Sequence, residues 1–319
     1  MFDRATPPQP SPCQGREHST PQMRLFMTPL RCPVCKSDLI AEAKRYICAN
    51  NHSFDIARQG YVNLLLSSQM PSKTPGDNAQ MIADRHAFLE AGFYQPLRDR
   101  IVERLAQLQS PFVHEKIVHA QTVFDLGCGE GYYTTAFVAP NRKVYGLDIA
   151  KPALALAAKR NKTVTWCVGT SRALPFHDSA LDVITNIFCR PHFAEIQRVL
   201  NERGTLLIVG PGPNHLRELR DLLYENVYKN VMEATAELRA ENFILTHSET
   251  LDYSFTLRGQ AISQLARMTP HYWRAPTERR AQLEAIEELT LRADFLLQEF
   301  SPLQTKSVSE SDNEQANNA

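Results

Sequence analysis

The sequence predicts an α/β protein: a largely parallel sheet covered by helices on both faces, preceded by a small metal-binding lobe. Three observations carry this. From residue 121 onward, short apolar runs alternate with segments of helical periodicity, as in a parallel sheet with helical crossovers. The first of those runs enters a glycine-rich turn, Gly127-Cys-Gly129-Glu-Gly131. Four metal-ligating side chains, Cys32, Cys35, Cys48 and His52, fall in one short stretch far upstream of it.

Composition bounds the rest. The chain has 319 residues, 43% hydrophobic and 22% charged, with 35 Lys+Arg against 35 Asp+Glu. That suits a medium domain plus a small one and excludes a wholly disordered, collagen-like or disulfide-scaffold chain. No apolar run reaches the roughly 18 residues of a transmembrane helix, so no membrane partner is expected. Zero net charge excludes a chain that is basic throughout, but not a local basic face of the kind that binds RNA. Seven cysteines, without an apolar stretch in Met1–Pro10, imply a reducing, cytoplasmic compartment. There, grouped cysteines more often hold metal than form disulfides.

In chain order, residues 1–29 are rich in Pro, Gln, Ser and Thr and are expected to form a disordered extension. Translation from Met23 or Met27 would remove most of it. Residues 30–66 read as hairpins around a metal, with a strand at Tyr61–Leu65 leaving the lobe. Residues 67–110 read as a linker loop followed by a helical segment over 77–109, with Met81, Ile82, Phe88, Leu89, Leu97, Ile101, Leu105 and Leu108 on its buried stripe. The larger domain is expected over 111–300. Strands are predicted at Thr122–Leu126, Lys143–Asp148, Thr163–Val168, Ala180–Phe188 and Gly204–Val209. Helices are predicted at Pro152–Arg160 and Phe193–Leu200. Phe243–Ser248 and Leu251–Leu257 read as two strands joined by a very short connection, an antiparallel pair at the sheet edge. Residues 301–319 are polar and expected to be a disordered tail.

The spacing Cys32-x2-Cys35-x12-Cys48-x3-His52 supplies four ligands of the kinds zinc takes in a tetrahedron. Pro33 pre-sets the first turn. A lobe this short has little core of its own, so the metal is expected to be structural and to supply much of its stability. Arg31, Lys36, Lys44, Arg45 and Arg58 make the lobe net basic, either as an RNA-facing surface or as an ordinary solvated one.

In Val123-Phe-Asp125-Leu-Gly127-Cys-Gly129-Glu-Gly131-Tyr-Tyr, a strand runs through glycines towards a helix, and Asp148 ends the next strand, where it could bind ribose hydroxyls. Nicotinamide dinucleotides and S-adenosylmethionine both use this combination. Tyr132 occupies the place where a dinucleotide fingerprint wants its last Gly or Ala. Asp125, two residues before the first glycine, and Ser171-Arg-Ala-Leu-Pro-Phe176 with Asp178 and Leu181-Asp-Val183 favour S-adenosylmethionine. The fold expected is therefore a class I S-adenosylmethionine-dependent methyltransferase, a Rossmann-like sheet, with an N-terminal zinc-binding domain. Cys189-Arg-Pro191 is not the Pro-Cys of pyrimidine C5 enzymes, so Cys189 reads as a spectator thiol. Asn186-Ile-Phe-Cys lacks the Pro-Pro-aromatic motif of enzymes that act on exocyclic amines.

With this order of parts, the chain resembles the RlmA-type 23S rRNA (guanine-N1)-methyltransferases from about Pro29 to Ala275. The most specific matches are Cys32-Pro-Val-Cys35, Phe54-Asp-Ile-Ala-Arg-Gln-Gly60-Tyr-Val-Asn-Leu-Leu65 and Pro75-Gly-Asp77. Others are Phe88-Leu-Glu-Ala-Gly92-Phe-Tyr94-Gln-Pro-Leu97, Asp125–Tyr133, Pro211-Gly-Pro-Asn-His215-Leu and Met268-Thr-Pro-His-Tyr-Trp273-Arg-Ala275. The resemblance implies a zinc lobe that recognises a 23S rRNA hairpin, methylation of guanine N1 by S-adenosylmethionine, and a homodimer. By position, the zinc ligands would be Cys32, Cys35, Cys48 and His52. Cofactor contacts would include Tyr94, Gly129, Glu130 and His215. Asp125, Gly127, Gly131 and Asp148 join them on the turn argument, and His192 on its place after the fourth strand.

Neutral guanine carries a hydrogen on N1, and ionising it near neutral pH costs about 2.7 kcal/mol for roughly two pKa units. N1 also lies on the Watson–Crick edge, so the base must be unpaired or flipped out. Candidate aids are Asp77, Arg85, His86, His192 and Trp273, the last as a stacking surface. Two rival readings stay open at this point. One is a small-molecule methyltransferase with a structural zinc lobe, and the other is a non-enzymatic RNA-binding protein.

Overall fold

The computed structural model describes residues 28–70, 76–108, 120–224 and 242–303. The expected N-terminal extension up to residue 27, with Met23 and Met27, lies outside the described residues. So do Pro75 of the linker and the expected tail beyond residue 303.

The lobe is a three-stranded antiparallel sheet of β1 (Leu39–Ala41), β2 (Arg45–Cys48) and β3 (Ser53–Asp55), in that order. The strand that leaves it, β4 (Tyr61–Asn63), does not belong to this small sheet. It runs parallel to Trp166–Val168 of the large one, with Tyr61 opposite Trp166.

The helical segment forms two helices, α1 (Ala79–Glu90) and α2 (Gln95–Gln107). Asn78 caps the first, its Oδ1 accepting from the Met81 amide at 2.9 Å. Gly92, at φ +84°, separates them, and Pro96 sits in the first turn of the second, where its missing N–H costs nothing. Ile82, Phe88, Leu89, Leu97, Ile101 and Leu105 of the expected stripe are all buried.

The large sheet then builds from β5 (Gln121–Leu126), β6 (Arg142–Asp148), β7 (Thr165–Val168), β8 (Leu181–Ile187), β9 (Leu200–Pro211), β10 (Phe243–Arg258) and β11 (Glu288–Pro302). Its order is β10-β11-β9-β8-β5-β6-β7-β4, parallel from β4 to β9, with β11 antiparallel to both neighbours. Helices α3 (Lys151–Arg160), α4 (Phe193–Val199) and α5 (Arg217–Leu223) alternate with the strands. A helical insert, α6 (Gln260–Arg267), α7 (Pro270–Arg274) and α8 (Thr277–Glu284), separates β10 from β11.

The edge differs from expectation. Phe243–Ser248 and Leu251–Leu257 are one continuous strand, not a hairpin, and the antiparallel partner is β11. A tight hairpin turn needs Gly, Asn or Asp at its positive-φ positions. Ser248-Glu249-Thr250 offers none, and the strand carries straight through them with an irregularity only between Leu245 and His247. The partner extends through Pro302, so residues 301 and 302 are strand rather than the start of a tail.

Two apolar layers cover the sheet. One packs α1 and α2 with Trp166, Phe295 and the helical insert. The other places Leu30, Cys32, Leu39, Tyr46 and Cys48 of the lobe against Phe124, Tyr145 and Ile184 of the sheet and Phe176 of the segment between β7 and β8. The lobe thus shares the sheet's core rather than owning one. Each such side chain, fully buried, contributes roughly 2 kcal/mol. Among the described residues no helix is long and apolar enough to cross a membrane.

Candidate active site and metal centre

Strand β5 is followed in the chain by β6 on one side, and β8 lies on its other side. This is the switch point of an open α/β sheet, where a crevice forms beyond the strand ends. A cavity of about 350 Å³ lies there, between the glycine turn, the end of β8 and the segment leading into α1.

Three glycines shape the turn in different ways. Gly127 has φ +80°, and a Cβ there would stand 2.5 Å from the Cys189 sulfur. Gly131 has φ +81°, and its Cβ would meet the Trp166 ring at 2.7 Å, so it permits packing and does not line the cavity. Gly129, at φ +55°, has nothing within 4 Å of its Cβ position and lines the cavity, which leaves room for a ligand over the backbone.

The acids of the wall are fixed by distinct partners. Asp125 accepts from the Thr134 and Thr185 hydroxyls at 2.5 and 2.8 Å. Burial pushes its carboxyl up to about 6 despite those bonds. Asp148 accepts from the Gly129 amide at 2.9 Å and the Ala150 amide at 2.8 Å, and burial raises its pKa as well. Each oxygen keeps a lone pair for a ribose hydroxyl. Glu130 is 2% exposed. Its Oε2 accepts from Arg160 of α3 at 2.8 Å and lies 3.4 Å from His86 Nδ1 of α1, while its buried Oε1 has no partner among the described residues. An orphaned carboxylate oxygen, two anchored acids and open space above Gly129 fit a polar, hydroxyl-bearing and cationic ligand such as S-adenosylmethionine.

Asp77 and Arg85 also line the cavity and form an ion pair with each other. Arg267 of α6 donates to Asp84 at 2.8 and 3.1 Å, tying the insert to α1 beside Arg85. His192 is exposed at the start of α4 and Trp273 is 47% exposed on α7; neither lines the cavity. Trp273 is oriented by its Nε1 donating to the Arg267 carbonyl at 2.8 Å.

In the lobe, one ligand atom from each of Cys32, Cys35, Cys48 and His52 lies within 4.8 Å of every other. The Cys35 and Cys48 sulfurs are 3.7 Å apart, and His52 Nδ1 is 3.4 Å from Cys48 Sγ and 3.6 Å from Cys32 Sγ. Tetrahedral zinc with bonds of about 2.3 Å to sulfur separates two sulfurs by about 3.8 Å, so the donor set fits that ion. Two knuckles hold it: Lys36 N–H donates to the Cys32 carbonyl and Asn51 N–H to the Cys48 carbonyl, each at 2.9 Å. Lys36 and Asn51 both have positive φ, 66° and 61°. Of the lobe's cations, Arg31 pairs with Asp178, Arg45 with Glu42, and Lys36 folds onto the Pro33 carbonyl. Lys44 and Arg58 are exposed and have no ion pair among the described residues.

Comparison with known proteins covers both parts of the chain. Residues 30–73 match the RlmA N-terminal zinc-ribbon model, and 124–210 match a methyltransferase domain. The 23S rRNA (guanine(748)-N(1))-methyltransferase of Streptomyces fradiae is 34% identical over 277 residues, covering 83% of this chain and 95% of its own length. YxjB of Bacillus subtilis, named for 23S rRNA guanine-N1 methylation, is 34% identical over 279 residues, 84% of this chain and 95% of its own. The chain belongs to the RlmA-type 23S rRNA (guanine-N1)-methyltransferase family.

Two residues carried over from the RlmA pattern occupy an unexpected layer. Tyr94 and His215 do not line the cavity. They meet behind Phe188, with Tyr94 Oη 3.3 Å from His215 Nε2. The Asp294 amide donates to His215 Nδ1, so the ring proton sits on Nε2 and points to the tyrosine. Burial pushes the imidazole pKa down to about 3, keeping it neutral. The sequence reading missed Arg160, whose partner Glu130 is 30 residues away. It also missed Phe188 and Arg190 on the cavity wall. Cys189, weighed as a spectator thiol, lines the wall too, its thiol pushed up to about 11 by burial.

Proposed function

We propose that this RlmA-type enzyme acts in the cytoplasm on a hairpin of 23S rRNA, methylating N1 of one unpaired guanine, and works as a homodimer. The observation that carries the reading is the pairing, in one chain, of an RlmA zinc ribbon with a methyltransferase cavity built on one continuous sheet. The target and its chemistry rest on what the full-length relatives are named for.

S-adenosylmethionine, when bound, supplies an electrophilic methyl group on a sulfonium. The residues proposed to hold it are Asp148 for the ribose, Glu130 Oε1 for a cationic donor, and the Gly127–Gly129 backbone. Tyr94 and His215 are proposed to support the site from behind Phe188. The Asp125 and Asp148 oxygens each already accept a hydrogen bond from a hydroxyl or an amide, whereas the one side-chain partner of Asp77 among the described residues is Arg85. Asp77 is therefore the carboxylate proposed to orient and accept the N1 proton, with Arg85 holding it in place. Orientation of N1 contributes alongside that transfer. Lys44 and Arg58 are proposed to meet phosphates, and Trp273 to stack on RNA outside the cavity.

Incubation of the purified protein with unmodified 23S rRNA and labelled cofactor, followed by base-resolved mapping, tests this reading. Label at N1 of one guanine is expected. Label only in a small molecule, with none in RNA, would overturn it. Sedimentation of the protein with and without RNA checks the dimer.

A further inference from the structure

We infer that Phe188 is the platform on which the target guanine lies during methylation. The inference rests on the reading of this cavity as a guanine-methylating site. Six residues other than glycine have positive φ among the described residues, and Phe188, at φ +54°, is the one that lines the cavity. A bulky side chain in this region is disfavoured, so the conformation persists only where surrounding structure imposes it and is a pointer to function. The imposing contacts are visible. Strand β8 ends at Ile187, yet the Phe188 amide still donates to the Val209 carbonyl at 3.0 Å. The chain then turns so that Cys189 folds back against Gly127.

The consequence is an aromatic ring held out where apolar side chains are normally withdrawn. Phe188 is 45% exposed although it directly follows a central strand. Its ring is backed by Phe295, at a centroid distance of 5.7 Å, and by the His215 ring, nearly parallel at 6.4 Å and 23°. Tyr94 braces the same group, and burial keeps His215 neutral. A purine offers a flat π-face to such a ring, and stacking of an unpaired base on an aromatic holds it without reading its edge. The Watson–Crick edge is thereby left free for Asp77 and the methyl donor. Phe188 touches the base by its ring alone, so it is a positioning group for the substrate.

The test uses the full-length protein with Phe188→Ala, Phe188→Leu, Phe188→Tyr and Phe188→Trp. S-adenosylhomocysteine affinity is read by calorimetry and RNA methylation by single-turnover and steady-state rates. The platform predicts that Phe188→Ala and Phe188→Leu slow methylation about 10- to 100-fold. Tyr and Trp should stay within a few-fold of wild type, and cofactor affinity should hold within about three-fold throughout. Leu keeps the apolar backing against Phe295, so its failure beside the success of Tyr separates stacking from simple packing. Full activity in Phe188→Leu, or a loss of cofactor affinity parallel to the loss of rate, would overturn the inference. Absence of guanine N1 methylation by the wild-type protein would instead overturn the reading on which it rests.

Discussion

The metal knuckles and the cofactor turn solve the same local problem with different support. Both bend the backbone through positive-φ residues to aim groups at a small volume. In the lobe those residues are Lys36 and Asn51, and the aimed groups are side chains. In the turn they are Gly127, Gly129 and Gly131, and a principal product is empty space above Gly129. The turn is held by a buried sheet on either side. The lobe has three strands of three or four residues, and its apolar side chains lie against the sheet's own core. A metal therefore supports the first site, and tertiary packing supports the second.

The sharpest way to break this contrast is to remove the metal. Chelation, or Cys35→Ser, is expected to lower the melting temperature by about 10 °C or more, since losing several kcal/mol costs roughly 2–4 °C each in a domain of this size. The loss should reach the large sheet because Cys32 and Cys48 share its core. Calorimetry with zinc quantification checks this, and a separate low-temperature melt of the lobe alone would refute the shared core.

Within the turn, the glycines should separate. Gly127→Ala adds a Cβ at 2.5 Å from Cys189 and is expected to cost about 2–4 kcal/mol of stability by denaturant unfolding. Gly129→Ala meets open space, so its stability cost should stay near the 1–2 kcal/mol of positive φ alone, about. Its cofactor affinity should nevertheless fall at least ten-fold. Equal stability losses would show that the turn is not built as described.

His215 provides a pH-dependent test. Its folded pKa, pushed down to about 3, lies below that of the unfolded chain, so the unfolded state takes up the proton first. The stabilisation is complete above the unfolded value of about 6.5 and is lost as pH falls towards the folded value. Between pH 6.5 and 5 the loss is about 2 kcal/mol. His215→Phe should remove that slope in paired urea titrations. Asp125, held up to about 6, shifts in the opposite direction in both proteins and cancels in the comparison. The smallest structural effect belongs to Lys44→Glu with Arg58→Glu. Stability should change by less than about 0.5 kcal/mol, while RNA affinity drops several-fold and loses part of its salt dependence.

Legibility in the sequence follows the same division. The four metal ligands lie within 21 residues and were readable as spacing. Strands β5 to β9 were readable because both their faces are buried, which leaves continuous apolar runs. Strand β10 alternates, and a polar triplet at Ser248–Thr250 resembles a turn until its partner is known. That partner, β11, opens with Glu288 and carries Asp294, Gln298 and Glu299 buried, so it lacks the apolar signature of its neighbours. Two of these polar groups are held by remote partners: Asp294 accepts from the Asn214 amide, and Glu299 pairs with Arg104. Asp84 and Arg267 are 183 residues apart and carry no local sign of pairing. Phe188 was hidden for a different reason, because its type resembles core and only its backbone conformation sets it apart.

The edge position of β4 has a consequence for the order of assembly. Tyr61 pairs with Trp166, so beyond one bridge from Val62 to Ile56 the lobe's outgoing strand has no sheet partner until about a hundred more residues have been made. At about 5–20 residues per second, that is a wait of several seconds during synthesis. The opposite edge repeats the delay, because β10 reaches the sheet only through β11, which follows it in the chain. The sheet is thus completed from its middle outward, and the nascent lobe has time to load its metal before the strand behind it docks.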